Sequence, residues 1–140
     1  MTTAGVPAAR LSAATYAEHR ELLGKDNIVI VEGSVAHDDY SGGLAMRARG
    51  VRSLLQARQD YASRLTIELH GDSLNDNLTD QLERTLAGSG GGNCPVSVVY
   101  LQARNKARVS LGERWQVVPS DELLQELRDQ LGRERVSLEY

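Results

Sequence analysis

Residues 64–102 read RLTIELHGDSLNDNLTDQLERTLAGSGGGNCPVSVVYLQ, and the changes of hydrophobic period within them decide the fold. RLTIELH alternates, so Leu65, Ile67 and Leu69 share one face of a strand. Leu74, Leu78, Leu82 and Leu86 then recur every four positions, the stripe of an amphipathic helix, which Gly88 and a flexible glycine-rich link bring to an end. CPVSVVYLQ, rich in β-branched residues, returns as a second strand.

The C-terminal side continues the pattern. ARVSLGERWQVV (107–118) is expected to be a strand bent at Gly112 and carrying Trp115. In SDELLQELRDQLG (120–132), Ser120 is placed to cap a helix N-terminus, Asp121 and Glu122 complement its dipole, and Gly132 stops it. RVSLEY closes as a strand with Val136, Leu138 and Tyr140 on one face. Strand, helix, strand, strand, helix, strand folds most simply as an α+β domain, a four-stranded antiparallel sheet with both helices on one face: the ferredoxin-like βαββαβ arrangement.

Residues 15–62 read differently. TYAEHRELLG is a short helix candidate, and NIVIVEGSV is a strand. HDDYSGG is dense in turn formers, LAMRARG alternates back, and VRSLLQARQDYASR leads away as a helix. Residues 1–14, MTTAGVPAARLSAA, are small and polar and are expected to be a flexible leader. The division expected is leader 1–14, helix and hairpin 15–62, and α+β domain 63–140.

Composition narrows the function classes. A net charge of -3 and a pI near 5.6 argue against a protein that coats nucleic acid along its length. Arg47, Arg49, Arg52, Arg58 and Arg64 nevertheless form one basic stretch, and Arg104, Lys106 and Arg108 another. A single cysteine, Cys94, excludes an internal disulfide framework and fits a reducing cytoplasm. No apolar run has the length of a membrane span.

No catalytic or metal constellation emerges, and no cofactor is implied. Neighbouring side chains in extended backbone point to opposite faces, so His37, Asp38 and Asp39 converge poorly on one ion. Ser41-Gly42-Gly43 lacks the lysine and helix start of a phosphate loop and suits a hairpin turn. Cys94 has no histidine partner and reads as an inert thiol. Arg47 and Arg49, alternate on one strand, read first as an ordinary solvated strand face and second as residues placed to meet nucleic-acid phosphates non-specifically.

Three long segments carry a likeness: YAEHRELLGKDNIVIVEGSVAHDDYSGGLAMRAR, ARQDYASRLTIEL and ARVSLGERWQVVPSDELLQELRDQLGRERVSLEY. Together they resemble the C-terminal end of the bacterial replicative DNA polymerase III alpha subunit, from about Tyr16 to Tyr140. The resemblance implies that the first block is the end of an OB-fold contacting single-stranded template. It implies that the second is the domain that binds the tau subunit of the clamp loader, with polymerase chemistry lying upstream. The tau contact is expected on Trp115, Leu123, Leu124, Leu127, Leu131 and Tyr140, with exposed members of the leucine stripe making it. The family's sliding-clamp-binding sequence maps to Arg135–Tyr140, with Val136, Leu138 and Tyr140 as its apolar positions and Arg135 where glutamine is usual. Only two strands of a five-stranded barrel are expected here, so the hairpin from Asn27 to Gly50 should expose an edge. It is expected to pack on the C-terminal domain, pair with another copy in self-association, or be partly disordered.

Overall fold

The structure, a computed structural model, describes residues 8–140; residues 1–7 of the expected leader lie outside the described residues. The chain forms two compact units that divide between Gln56 and Ala57.

The first unit holds β1 (Ala8–Arg10), α1 (Ala13–Glu18), β2 (Val29–Asp38) and β3 (Gly43–Ser53). Its sheet has the order β1-β3-β2. β2 and β3 make the expected antiparallel hairpin, and β1 adds in parallel on the far side of β3. The flexible-leader reading is corrected for residues 8–14. Ala8–Arg10 pair with Ala45–Arg47, and Ser12 caps α1 by accepting the Thr15 N–H. Nothing in the composition of Ala8–Arg10 announces a strand. Between Glu32 and Gly33 the register shifts. Gly33 is required there, because a Cβ would lie 2.2 Å from the Arg47 carbonyl oxygen.

α2 (Leu54–Tyr61) links the units. The second unit then runs β4 (Arg64–His70), α3 (Asp76–Gly88), β5 (Gly90–Cys94), β6 (Val96–Gln102), β7 (Asn105–Ser110), a 3-10 turn (Glu113–Trp115), α4 (Asp121–Leu131), a second 3-10 turn (Arg133–Arg135) and β8 (Val136–Glu139). The α+β class holds, but the ferredoxin-like pairing is replaced by another. The sheet order is β7-β6-β4-β8, and β4 and β6 are direct parallel neighbours. A ferredoxin-like sheet would interpose another strand between them. α3 and its flanking loops supply the long crossover that a parallel pair needs. The hairpin strand β7 therefore falls outside β6 rather than between the two, and β8 pairs antiparallel with the other edge of β4.

Both leucine stripes reach the same sheet face. Leu65, Ile67, Val96 and Val136 pack with Leu82 and Leu86 of α3 and with Leu123, Leu124, Leu127 and Leu131 of α4. Each fully buried leucine contributes about 2 kcal/mol by area, so this one cluster dominates the unit. Side chains also join the helices: Thr85 donates to Glu126 at 3.0 Å and accepts from Gln130 at 2.8 Å. Ser120 caps α4 as expected, accepting the Leu123 N–H, and Gly132 ends it at a φ of 102°. The opposite sheet face is mixed: Thr66 is bonded to Glu139 and His70 to Glu68, beside the buried Val99 and half-buried Leu101 of β6.

Two local readings change. The glycine-rich segment after α3 is strand β5 rather than a flexible link, and Val117 bridges to Gly90 and Cys94. A Cβ on Gly92 would sit 2.0 Å from the Val117 carbonyl oxygen, so close backbone approach fixes that glycine. The expected strand 107–118 breaks after Ser110, and Trp115 lies in the 3-10 turn.

Leu127→Ala removes a side chain with no exposed surface and should cost about 2–5 kcal/mol in urea unfolding. Ala103→Gly should raise stability by about 1 kcal/mol in the same measurement, because Ala103 holds a φ of 47° in the β6–β7 turn.

Candidate functional site

In the second unit, the sheet and α3 do not close completely. Ile67, Leu69 and Val98 form the floor of a groove of about 310 Å³, with Leu82 and Leu86 of α3 as one wall and Leu111 and Trp115 as the other. Strand alternation sets the floor: Ile67 pairs with Val98, and Leu69 with Tyr100, all on the helix-facing side. The 3-10 turn places Trp115, whose N–H donates to the Gly112 carbonyl at 2.9 Å. The Arg114 guanidinium lies 5.2 Å from the centre of the indole ring, a cation–π contact that steadies it. A second hollow, about 250 Å³, lies against Trp115 and is lined by Glu83, Ala87, Gly90 and Arg114. Trp115 and Glu83 thus border both depressions.

The structure sorts the tau-contact candidates. Leu123, Leu124, Leu127 and Leu131 are all buried in the core, so none is an exposed contact residue and that expectation is corrected. α4 turns its whole apolar stripe inward because both helices cover one sheet face. Trp115 is half-buried on the groove, and Tyr140 is 71% exposed. Tyr140 and Asp121 both interact with the Arg58 guanidinium, and the Asp121 carboxylate in particular raises its pKa.

Of the apolar positions mapped for clamp contact, Val136 is buried opposite Ile67 and Leu138 lies opposite Leu65; only Tyr140 is exposed. Arg47 and Arg49 are both exposed and flank the buried Ala48. The bulge leaves Arg49 without a partner in the register. Arg47 is instead flanked by Arg10 on β1 and Ser34 on β2. Arg10 was missed because it lies in the supposed leader.

The HDD loop is a structural turn. Asp38 accepts from Ser41 Oγ at 2.8 Å and pairs with Arg10 at 2.7 Å. The Ser41 hydroxyl above all, with the Tyr40 amide and Arg10, holds its carboxyl below the usual range against the opposing effect of burial. His37 and Asp39 stand 3.9 Å apart at the surface. Among the described residues no three His, Cys, Asp or Glu side chains gather to hold a metal ion. Cys94 is fully buried, and burial pushes its thiol pKa up, the setting of an unreactive cysteine. No helix among the described residues is long and apolar enough to cross a membrane.

These features define an α+β domain with an open apolar groove, joined to a small β-sheet unit. Sequence comparison places it more closely. Residues 77–132 match the family model described as DNA polymerase III subunit alpha, C-terminal domain. The chain is 42% identical over 123 residues to the DNA polymerase III subunit alpha of Escherichia coli K12, covering 88% of this chain and 11% of that protein. It is 42% identical over 132 residues to the Pseudomonas aeruginosa protein of that name, covering 94% and 11%. For Vibrio cholerae the figures are 37% over 135 residues, covering 94% and 12%. This chain is thus a relative of the C-terminal region of the DNA polymerase III alpha subunit. It spans about a tenth of the length of the curated relatives it matches.

The Arg10–Asp38 pair gives a pH-dependent outcome. A carboxyl held low in the folded state contributes fully above its unfolded pKa of about 4, and that contribution is lost as pH falls through the folded value. NMR shifts of Ala8–Arg10 should leave their strand values on acidification below pH ~4. Asp38→Asn should produce the same change at neutral pH.

Proposed function

We propose that this chain is a non-catalytic C-terminal fragment of a replicative DNA polymerase III alpha subunit, acting in the cytoplasm. Its second unit binds the tau subunit of the clamp loader and so ties the polymerase to the replisome during DNA replication. The observation that carries this reading is the open groove at Trp115, whose lining falls largely within the segment matched to the family's C-terminal domain. An indole held by Arg114 beside exposed aliphatic surface is the composition of an interface hot spot, where tryptophan and arginine are enriched. With the α4 leucines committed to the core, Trp115 and the exposed Tyr140 are the expected contact residues that stay available to a partner. Polymerase chemistry belongs to the upstream part of such a subunit. Contact of the sliding clamp with the C-terminal strand would require β8 to leave β4, because Val136 and Leu138 face the core.

Single-stranded DNA binding by the first unit, as the end of an OB-fold, is the alternative. The alignment of Arg10 beside Arg47 favours it. However, Arg10 is paired with Asp38 and Arg52 with Glu32, which leaves little net positive charge on that face. Any DNA affinity should be weak and fall steeply with salt.

Calorimetric titration with the purified C-terminal domain of tau tests the main reading. Wild-type chain should bind at micromolar concentration or tighter, and Trp115→Ala should weaken binding by about tenfold or more. Absence of association at micromolar concentrations contradicts it.

A further inference from the structure

We propose that the free edge of β7 is a docking strand, which pairs with an extended partner segment alternating apolar residues with aspartate or glutamate. The inference rests on the reading of the second unit as a partner-binding domain and names the chemistry its surface selects.

β7 is an outer strand of its sheet, and all six of its residues are exposed. The Leu111 N–H donates to the Val96 carbonyl on β6 at 2.9 Å. By the alternation of an antiparallel ladder, Val109 and Ala107 also turn their backbone groups toward β6. The N–H and C=O groups of Lys106, Arg108 and Ser110 are left facing outward, a three-residue template for a further strand.

The side chains sort by face. Val109 lies opposite Val98, a floor residue of the groove, and is 52% exposed, so the apolar surface runs from the groove onto β7. Lys106 and Arg108 lie on the other face, opposite Leu101 and Val99, and form no ion pair among the described residues. A strand laid on this edge would place alternate side chains beside Val109 and the groove, and the others beside the two cations. Apolar residues fit the first set and carboxylates the second.

The same cations exclude a second copy of this chain. Two β7 strands side by side would set Lys106 and Arg108 against their counterparts, and like charges across a strand pair destabilise it. Lysine and arginine on an edge strand thus block self-pairing while leaving an acidic partner free to add.

The test uses the full 140-residue chain, isotope-labelled for NMR, and two capped nine-residue peptides. One alternates valine with aspartate, and the other has lysine in place of aspartate. The acidic peptide should shift the amides of residues 106–111 in a saturable way, and the basic peptide should leave them in place. Lys106→Glu with Arg108→Glu, both at exposed sites, should reverse the preference, weakening the acidic peptide by roughly fivefold or more. A proline at the centre of the acidic peptide should weaken binding by removing a ladder donor. Equal binding of the two peptides, shifts away from β7 and the groove, no binding at millimolar concentration, or dimerisation through β7 would each overturn the inference. Its fate is separable from that of tau binding. If tau binds and the double charge reversal leaves its affinity unchanged, the docking strand is wrong and the partner stands. If the acidic peptide binds as described and tau does not, the partner is wrong and the docking strand stands.

Discussion

The direct pairing of β4 with β6 is the constraint on which the second unit depends. Once these strands are parallel neighbours, Leu65, Ile67 and Val96 form a continuous apolar face that both helices must cover. α4 meets it with four leucines and has no apolar residue left for the outside. α3 covers the rest with Leu82 and Leu86, and the uncovered part, between α3 and the Trp115 turn, is the groove. The sheet order also sends β7 to the margin, beside that groove. The open groove is therefore what remains after the core has taken the helix stripes.

Much of this was legible from residue 64 onward. The period-two run at Leu65–Leu69, the four-residue spacing of Leu78, Leu82 and Leu86, the Ser120 cap and the Gly132 stop each have a local cause, and each appears in the structure. Leu74, by contrast, precedes the Asn75 cap and lies outside the helix. Strand order has no local cause. The same sequence of elements serves an all-antiparallel sheet or one with a parallel central pair, and only tertiary pairing distinguishes them. The glycine-rich segment misled for a related reason. Glycine there reflects close approach of Val117 from a distant part of the chain, and such a contact leaves no local pattern.

The candidate site was legible in part. Trp115 stands out as the single tryptophan, and it does border the groove. Leucines on a helix stripe look identical whether they face a core or a partner, so the sequence could not separate them. The β-bulge marks a different limit: nothing local announces the extra residue that leaves Arg49 without a partner on β2. Arg10 escaped notice because a three-residue strand of alanine and arginine carries no hydrophobic pattern.

The central claim is that the partner meets the Trp115 groove and the strand beside it, while α4 acts as internal support. Hydrogen–deuterium exchange of the chain with and without the tau C-terminal domain tests this most directly. Added protection is expected over residues 79–86 and 105–116, with little change across 123–131. Protection concentrated on 123–131 and 136–140, with residues 105–116 exchanging as in the free chain, would contradict it.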